Sequence, residues 1–433
     1  MKVALLTMFN GLNPTYSLVT VVAEQLEMLL EHQISVKLLV SENCLNAPRF
    51  GVYLDPRIEW VPIVNHIDDA PIIWHDYSTT TLPLHDSFSQ EASVIAQDFV
   101  RALLDVDLCI LHDILYQGWH YIHNIALRLA EPKLPHLRFI AFTHSLPIVP
   151  PAELATCMKG RFMPMPRTLF AYPTYSGLPL LAQQYNLPEA YCRVVYNSLS
   201  PLSFLCSEVQ QLHLAVPLLD ADFLIVYPGR LTPSKQFEKV AALAGSIHKV
   251  TGQSVTIIFC DFNSLDIDPL TYKSQIIESG ITCGLPESSI HFTSDCGFPD
   301  GFPRQGVLDL FTLSNLFICP SFSESFGLTV LEAASRGNFL ILNENVPALY
   351  ELGTKLHAYF MRWHARGLEH DLFEQYTPCE SHYYEAHIPF ILEAFKQDTA
   401  LYAKTQVRLH YQPEWIWHHQ LKPLLQSALR LDK

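Results

Sequence analysis

The feature that most constrains this chain is a rhythm. Short uninterrupted apolar runs alternate with segments of helical period, and the alternation is played through twice. In the first series Lys2–Thr7, Ser35–Val40, Ile58–Ile63, Leu108–Leu111, Arg138–Thr143, Leu169–Tyr172 and Arg193–Tyr196 read as strands. Phe88–Leu104, Trp119–Ala130 and Leu178–Tyr185 read as helices between them. A further helix follows the first strand, with Leu18, Val21, Val22, Leu26, Leu29 and Leu30 at helical spacing, Asn13 able to cap it and Pro14 suited to its first position.

After a linker at roughly 198–221 the pattern restarts. Phe223–Tyr227, Val255–Cys260, Ile290–Phe292, Leu316–Cys319 and Phe339–Leu342 read as strands, and Gln236–Val250, Tyr272–Ser279, Val307–Leu313 and Leu328–Arg336 as helices. From about 380 the chain is helical and aromatic, ending in Glu414–Leu431. Strands apolar throughout must be covered on both faces, which is the condition of a parallel sheet wrapped by helices. The expected fold is therefore α/β, with two Rossmann-like doubly wound domains, 1–200 and 201–400, and a helical segment 401–433. The length of 433 residues agrees, since one hydrophobic core seldom serves so many. In such sheets ligands gather at the carboxyl ends of the strands, so the loops there are where chemistry is sought.

Charge narrows the partners. A formal net charge of −15 argues against a general nucleic-acid binder and against attachment to anionic lipid by charge alone. It leaves room for peripheral membrane contact through an amphipathic patch. The 10 cysteines are scattered without a C-x-x-C pair, and Cys109, Cys260 and Cys319 lie inside apolar strands, so a reducing compartment is expected. The apolar N-terminus is short and runs into Asn10-Gly11 without a small-residue cleavage site, which reads as a first strand instead of a secretion signal. No run reaches the roughly 18–20 apolar residues of a membrane span. A cytoplasmic location is the expectation.

The strongest local signal is Pro320-Ser321-Phe322-Ser323-Glu324-Ser325-Phe326-Gly327-Leu328, which follows a strand and leads into a helix carrying Glu332. Amides at Phe326, Gly327 and Leu328 would be free helix-start donors suited to a phosphate, and Gly327 permits close backbone approach. Glu324 lies at the level of a bound sugar, and Glu332 is placed to accept ribose hydroxyls. The plain alternative is a helix with one acidic capping residue and one solvent-facing Glu. Arg230 and Lys235 follow another buried strand. Two cations there could stabilise a diphosphate leaving group, or be surface charges near a helix start, a position that disfavours them unless an anion is present. His144 and His112 each end a strand, where a structural hydrogen bond is the common role. Gly11 could bring backbone against a ligand or form a plain turn. Asp220-x-Asp222 and Asp266-x-Asp268 superficially resemble metal carboxylates, but neither follows a strand, and no metal site is expected. The terminal Trp415 and Trp417 are read as packing.

Taken together these residues resemble the retaining glycosyltransferase family four, of the GT-B fold. Gly229-Arg230…Lys235, Ile290-His291-Phe292, Leu316–Ser321 and the E-x7-E run Glu324…Glu332, closed by Ala333-Ala334-Ser335-Arg336-Gly337, stand in that family's order. The first half matches more weakly, through Asn10-Gly11, His112, Thr143-His144 and Tyr196-Asn197. The resemblance implies an active site in an interdomain cleft, a final helix crossing back to the first domain, and no metal or other cofactor. It implies that Arg230 and Lys235 hold the donor diphosphate, Glu332 the ribose, Glu324 with the Phe326–Leu328 backbone the donor sugar and phosphate, and that His144 reaches the sugar. The donor would be a UDP- or GDP-sugar, the two not being distinguished, and the acceptor a hydroxyl. Departures from the pattern are Asn197-Ser198 for Asn-Gly, Gln236 for the Gly after the phosphate lysine, Asn343–Pro347 for a glycine-rich turn, and one Gly instead of two in the N-terminal loop. A nucleotide-sugar epimerase or hydrolase on the same scaffold, and a non-catalytic binding subunit, are the alternative readings. Oligomeric state is not encoded in any of these signals.

Overall fold

A computed structural model describes residues 1–78, 83–150, 156–262, 267–366 and 377–431. The chain divides into two compact units: Met1–Leu199 with Pro413–Lys433, and Ser200–Gln412.

Unit 1 opens with β1 (Lys2–Leu6), α1 (Ser17–Glu31), β2 (Ser35–Ser41) and β3 (Ile58–Ile63), followed by a small antiparallel ribbon, β4 (His66–Ile67) with β5 (Ala70–Pro71). Then come α2 (Phe88–Leu103), β6 (Leu108–His112), α3 (Tyr121–Ala130), β7 (Arg138–Phe142), β8 (Thr168–Tyr172), α4 (Leu178–Gln184) and β9 (Cys192–Val194). The seven main strands form one parallel sheet in the order β3-β2-β1-β6-β7-β8-β9. Both faces are buried, and the strand period of two shows in which core each residue joins. Val3 and Leu5 face one apolar cluster with α1, while Ala4 and Leu6 face another with α2 and α3.

The helix after β1 starts later than the cap and proline suggest. Asn13 Oδ1 accepts from the backbone N–H and hydroxyl of Thr15, forming a local turn, and the helix begins at Ser17 with Tyr16 as its N-cap. Asn13 thus satisfies its own loop and leaves nothing for a helix end.

Unit 2 contains α5 (Ser207–His213), β10 (Phe223–Arg230), α6 (Phe237–Thr251), β11 (Val255–Phe262), α7 (Pro269–Thr282), β12 (Ile290–Phe292), α8 (Arg304–Leu313) and β13 (Leu316–Cys319). It continues through α9 (Leu328–Ser335), β14 (Phe339–Asn343), α10 (Pro347–Leu356), β15 (Tyr359–Met361), α11 (Thr377–Gln397) and α12 (Thr399–His410). Its six strands are again all parallel, in the order β12-β11-β10-β13-β14-β15. Neither α10 nor β15 is among the expected elements. β15 has 3 residues, too few for a period to register, and follows α10 with a single left-handed residue, His357, at the helix end.

Both sheets have the doubly wound order, in which the chain starts in the middle, builds to one edge, and returns to build to the other. The reversal falls between β1 and β6 in unit 1 and between β10 and β13 in unit 2. In open sheets of this kind ligands bind at the carboxyl ends of the strands, at the point of reversal.

The final segment divides differently from the expected boundary at 401. α12 belongs to unit 2, held there by polar contacts to its core. Lys404 Nζ donates to the carbonyls of Phe311 (3.0 Å) and Arg336 (2.8 Å), Thr405 Oγ1 accepts from Asn315 (3.0 Å), and Arg408 donates to the Leu219 carbonyl (2.9 Å). Only from Pro413 does the chain join unit 1, as α13 (Pro413–Ile416), a π turn at Trp417–Leu421, and α14 (Lys422–Leu429). Ile416, Trp417, Leu421, Leu424, Leu425 and Ala428 are buried against Val3, Leu5 and Ile110. Each large side chain there contributes about 2 kcal/mol by leaving water. Gln420 accepts from the Tyr196 N–H at 2.7 Å, and Arg138 donates to the Leu431 carbonyl at 3.0 Å. The tryptophans are packing, as their stripe suggested: Trp417 is buried and Trp415 stacks on His419.

Candidate active site

In unit 2 the two loops at the reversal of strand order meet. Arg230 is the last residue of β10 and is exposed. Lys235 follows on a short turn, Pro233–Lys235, and its ammonium forms an ion pair with Glu324, which stands on the loop after β13. The two residues are 89 positions apart in sequence. Their side chains are 29% and 16% exposed, so the pair faces solvent from a partly desolvated position.

A buried tyrosine sets the separation of these loops. The Tyr227 hydroxyl donates to the Lys235 carbonyl (2.8 Å) and lies 3.1 Å from Ser321 Oγ. Between the same loops, the Phe322 N–H donates to the Ser234 carbonyl at 2.8 Å. A phenol buried in this way must find partners, and those available are the two loops themselves.

Gln236 adopts the left-handed conformation, φ 52° and ψ 47°. An L-residue in this conformation carries roughly 1–2 kcal/mol of strain. The side chain offsets it. Its amide nitrogen donates to the carbonyls of Pro320 (2.5 Å) and His364 (3.0 Å). Asn343, at the end of β14, does similar work where a glycine-rich turn is usual. It donates to the carbonyls of Ser321 (3.2 Å) and His364 (3.1 Å) and accepts from the N–H groups of Asn345 and Trp363, both at 3.1 Å. The Glu324 loop is thus fixed by side chains instead of by a tight backbone turn.

Gly327 has φ 91° and caps the start of α9, a conformation that favours glycine, and a Cβ there would sit tightly, 3.2 Å from Leu349 and 3.3 Å from Val330. Phe326 and Leu328 on either side are exposed. The first-turn N–H groups of a helix have no partner inside it and point out of its end. Glu332 lies on α9 and is not the solvent-facing carboxylate of the plain alternative. It is 13% exposed and is bound by the Arg304 guanidinium, at 2.8 Å from Nη2 and 3.2 Å from Nε. Nothing in the sequence marks Arg304, Gln236 or Tyr227 as partners of the motif; only folding brings them to it.

The strand ends of unit 1 hold a different kind of group. His112 ends β6 and is fully buried, and its Nδ1 lies 3.0 Å from Nε2 of His144, which follows β7. The two rings stack at 5.3 Å and 13°. The other nitrogen of His112, Nε2, has no hydrogen-bond partner among the described residues. Burial lowers both bases: His144 to about 4, and His112 well below its usual value, with the neighbouring His144 adding to the effect. Asp113 completes the group. It is 7% exposed, has φ 60°, and accepts from the His144 N–H at 2.8 Å. Burial raises its carboxyl to about 6, against the opposing pull of the backbone donors of His144 and Ser145. The His112-Asp113 pair is visible in the sequence, but the carboxyl's burial is not. Gly11, in the bend after β1, has open space around its Cβ position, so the protein itself imposes no need for glycine there.

Asp222 and Asp268 each make local hydrogen bonds. Asp222 accepts from the Ser254 N–H and hydroxyl, both at 2.8 Å, and thereby joins the starts of β10 and β11. Asp268 caps α7 by accepting from the Thr271 N–H at 3.1 Å, while Asp266 lies outside the described residues. Among the described residues no helix is long and apolar enough to cross a membrane.

No protein-family model matches the sequence, and no curated protein matches it. Among solved structures the chain is similar to a glycosyltransferase from Rickettsia africae, at 12% identity and a TM-score of 0.37, covering 100% of this chain and 99% of that one. It is similar to a sucrose-phosphate synthase from Thermosynechococcus elongatus, at 14% identity and 0.36, covering 99% of each chain. It is also similar to Anabaena Alr3699/HepE in complex with UDP, at 15% identity and 0.36, covering 99% of this chain and 100% of that one.

Proposed function

We propose that this protein is a glycosyltransferase that moves a sugar from a nucleotide-diphosphate sugar to a hydroxyl acceptor with retention of anomeric configuration. The observation that carries the proposal is the meeting of Lys235 and Glu324 at the point where the unit 2 sheet reverses its strand order. A cation beside a carboxylate at that point fits a ligand that is anionic at one end and rich in hydroxyls at the other, and a sugar diphosphate is such a ligand.

In this reading Arg230 and Lys235 bind the diphosphate and stabilise the charge that grows on it as the bond to the sugar breaks. The amides of Phe326, Gly327 and Leu328 at the start of α9 take the phosphate nearer the helix. Glu324 accepts from sugar hydroxyls, and Glu332 accepts from the ribose once Arg304 gives way. His144, uncharged at neutral pH, is assigned to the sugar on the family resemblance. The chemistry that resemblance implies is front-face displacement. The bond from the anomeric carbon to the diphosphate oxygen breaks, the acceptor oxygen bonds to that carbon on the same face, and the acceptor proton passes to the departing diphosphate. No carboxylate nucleophile and no metal is called on.

Incubation with a panel of UDP- and GDP-sugars, with and without pooled hydroxyl acceptors, tests the reading. The expected result is release of nucleoside diphosphate that depends on acceptor, with a product of retained configuration. Isomerised or hydrolysed donor in the absence of acceptor would assign the scaffold to an epimerase or hydrolase. A chain that takes up no nucleotide sugar, by calorimetry or thermal shift, would be a binding or assembly subunit.

A further inference from the structure

Away from the strand ends, unit 1 brings together three side chains that no part of the sugar-transfer reading uses. His32 closes α1. Glu414 and His418 stand one helical turn apart at the start of the returning C-terminal segment, 382 positions away. His32 Nε2 lies 3.2 Å from one Glu414 oxygen and His418 Nε2 lies 2.8 Å from the other. All three donor atoms fall within 4.8 Å of one another.

The arrangement is preorganised on the His32 side. Its imidazole lies flat on the Trp417 indole, centroids 4.1 Å apart and 6° from parallel, and meets the His418 ring edge-on at 5.7 Å. Trp417 is itself buried in the unit 1 core, so the ring that supports His32 is fixed. Glu414 and His418 are 51% and 49% exposed, which leaves solvent free to complete a coordination shell.

We propose that His32, Glu414 and His418 bind one divalent transition-metal ion, zinc in the first instance, and that the ion fastens the C-terminal helix to the end of α1. Two imidazoles and one carboxylate form a borderline donor set, favoured by zinc, nickel or copper over calcium or magnesium. In a tetrahedral zinc site with bonds of about 2.0–2.2 Å, donor atoms are roughly 3.3–3.6 Å apart, and one ligand atom from each of the three residues already lies within 4.8 Å of the others, so small side-chain shifts complete the set. A water takes the fourth position. The ion joins segments from opposite ends of the chain, and therefore stabilises an attachment that the rest of the helix makes by apolar burial.

The test uses the tag-free full chain, stripped with chelator and titrated with zinc chloride in competition with a chromogenic zinc chelator. The expected result is one equivalent bound with micromolar or tighter Kd, a melting midpoint that rises with zinc, and no rise with calcium. His418→Gln and His32→Gln should each weaken binding more than tenfold and abolish the rise. Should His32→Gln unfold through loss of its stack on Trp417, the half-exposed His418→Gln decides alone. Equal zinc affinity in wild type and His418→Gln, or no binding by the wild type, would overturn the proposal.

Discussion

In unit 2 the candidate site carries two ion pairs, Lys235 with Glu324 between the loops at the reversal, and Arg304 at the start of α8 with Glu332 on α9. The strand ends of β6 and β7 in unit 1 carry His112, Asp113 and His144, buried groups whose charged forms desolvation disfavours. The same strand order thus supports two electrostatic designs. One is a set of partly exposed charges that keep their hydration and can exchange a protein partner for an ionic ligand. The other is a buried cluster in which desolvation disfavours the charged forms more than the hydrogen bonds favour them. A crevice of the first kind suits an anion. A crevice of the second kind suits hydroxyl groups, which need donors and acceptors but no counter-charge.

The largest effect is expected from breaking the charged side. Lys235→Ala or Glu324→Ala should lower turnover by about 10²–10³-fold, the scale of losing one preorganised group from a developing charge. The fold should persist, since the pair is partly exposed and its removal costs the protein under about 1 kcal/mol. Circular dichroism with initial rates checks both halves. Wild-type rates in both variants would remove the charged crevice from the reaction.

Asp113→Asn sharpens the other side. The folded protein holds the Asp113 carboxyl at about 6, above its ordinary value, so folding favours the protonated form. Its contribution to stability is full below the ordinary carboxyl range and is lost as pH rises toward 6. His144, lowered to about 4, acts in the opposite sense: its contribution is present above the ordinary histidine value and is lost as pH falls toward 4. In wild type the two oppose each other across this window. Asparagine removes the first and leaves the second, so the stability of the variant relative to wild type should grow by about 2 kcal/mol between pH 4 and pH 6. Urea melts across that range measure it, and a difference flat with pH would mean that Asp113 is not buried as an acid.

Gln236 separates strain from contact. Gln236→Ala keeps the left-handed residue and loses both hydrogen bonds, whereas Gln236→Gly loses the bonds but relieves the strain. Alanine should therefore be the less stable of the two by about 1 kcal/mol in thermal melts. The reverse order would show that this loop does not hold residue 236 left-handed in solution. The smallest effect belongs to Arg304→Ala. An exposed arginine pair contributes at most about 1 kcal/mol. If the ribose replaces Arg304 on Glu332, the variant should keep its stability and show an unchanged or lower KM for donor, whereas Glu332→Ala should raise it. A raised KM in Arg304→Ala would instead make the arginine a donor ligand.

Much of the architecture was legible because it rests on local period. Apolar runs such as Phe223–Tyr227 and Leu316–Cys319 can be buried only in a sheet covered on both faces, and their alternation with helices fixes parallel pairing. β15 and the start of α1 were not legible, the one because three residues show no period, the other because Asn13 and Pro14 can equally close a turn. In the candidate site, Arg230, Lys235, Glu324, Gly327 and Glu332 could be singled out because each follows a strand or opens a helix, positions that adjacent residues define.

What the sequence determined by itself is the kind of sheet, its repetition, and the loops where polar groups had to collect, since these follow from spacing along the chain. Tertiary structure alone decided which of those groups touch. It paired Lys235 with Glu324, set Arg304 on Glu332, gave Gln236 the place of a glycine, buried Asp113 beside two histidines, and drew Glu414 and His418 to His32. The physical reason is that burial, charge pairing and backbone strain depend on neighbours in space, and no local pattern in a chain records which distant residue will fill that space.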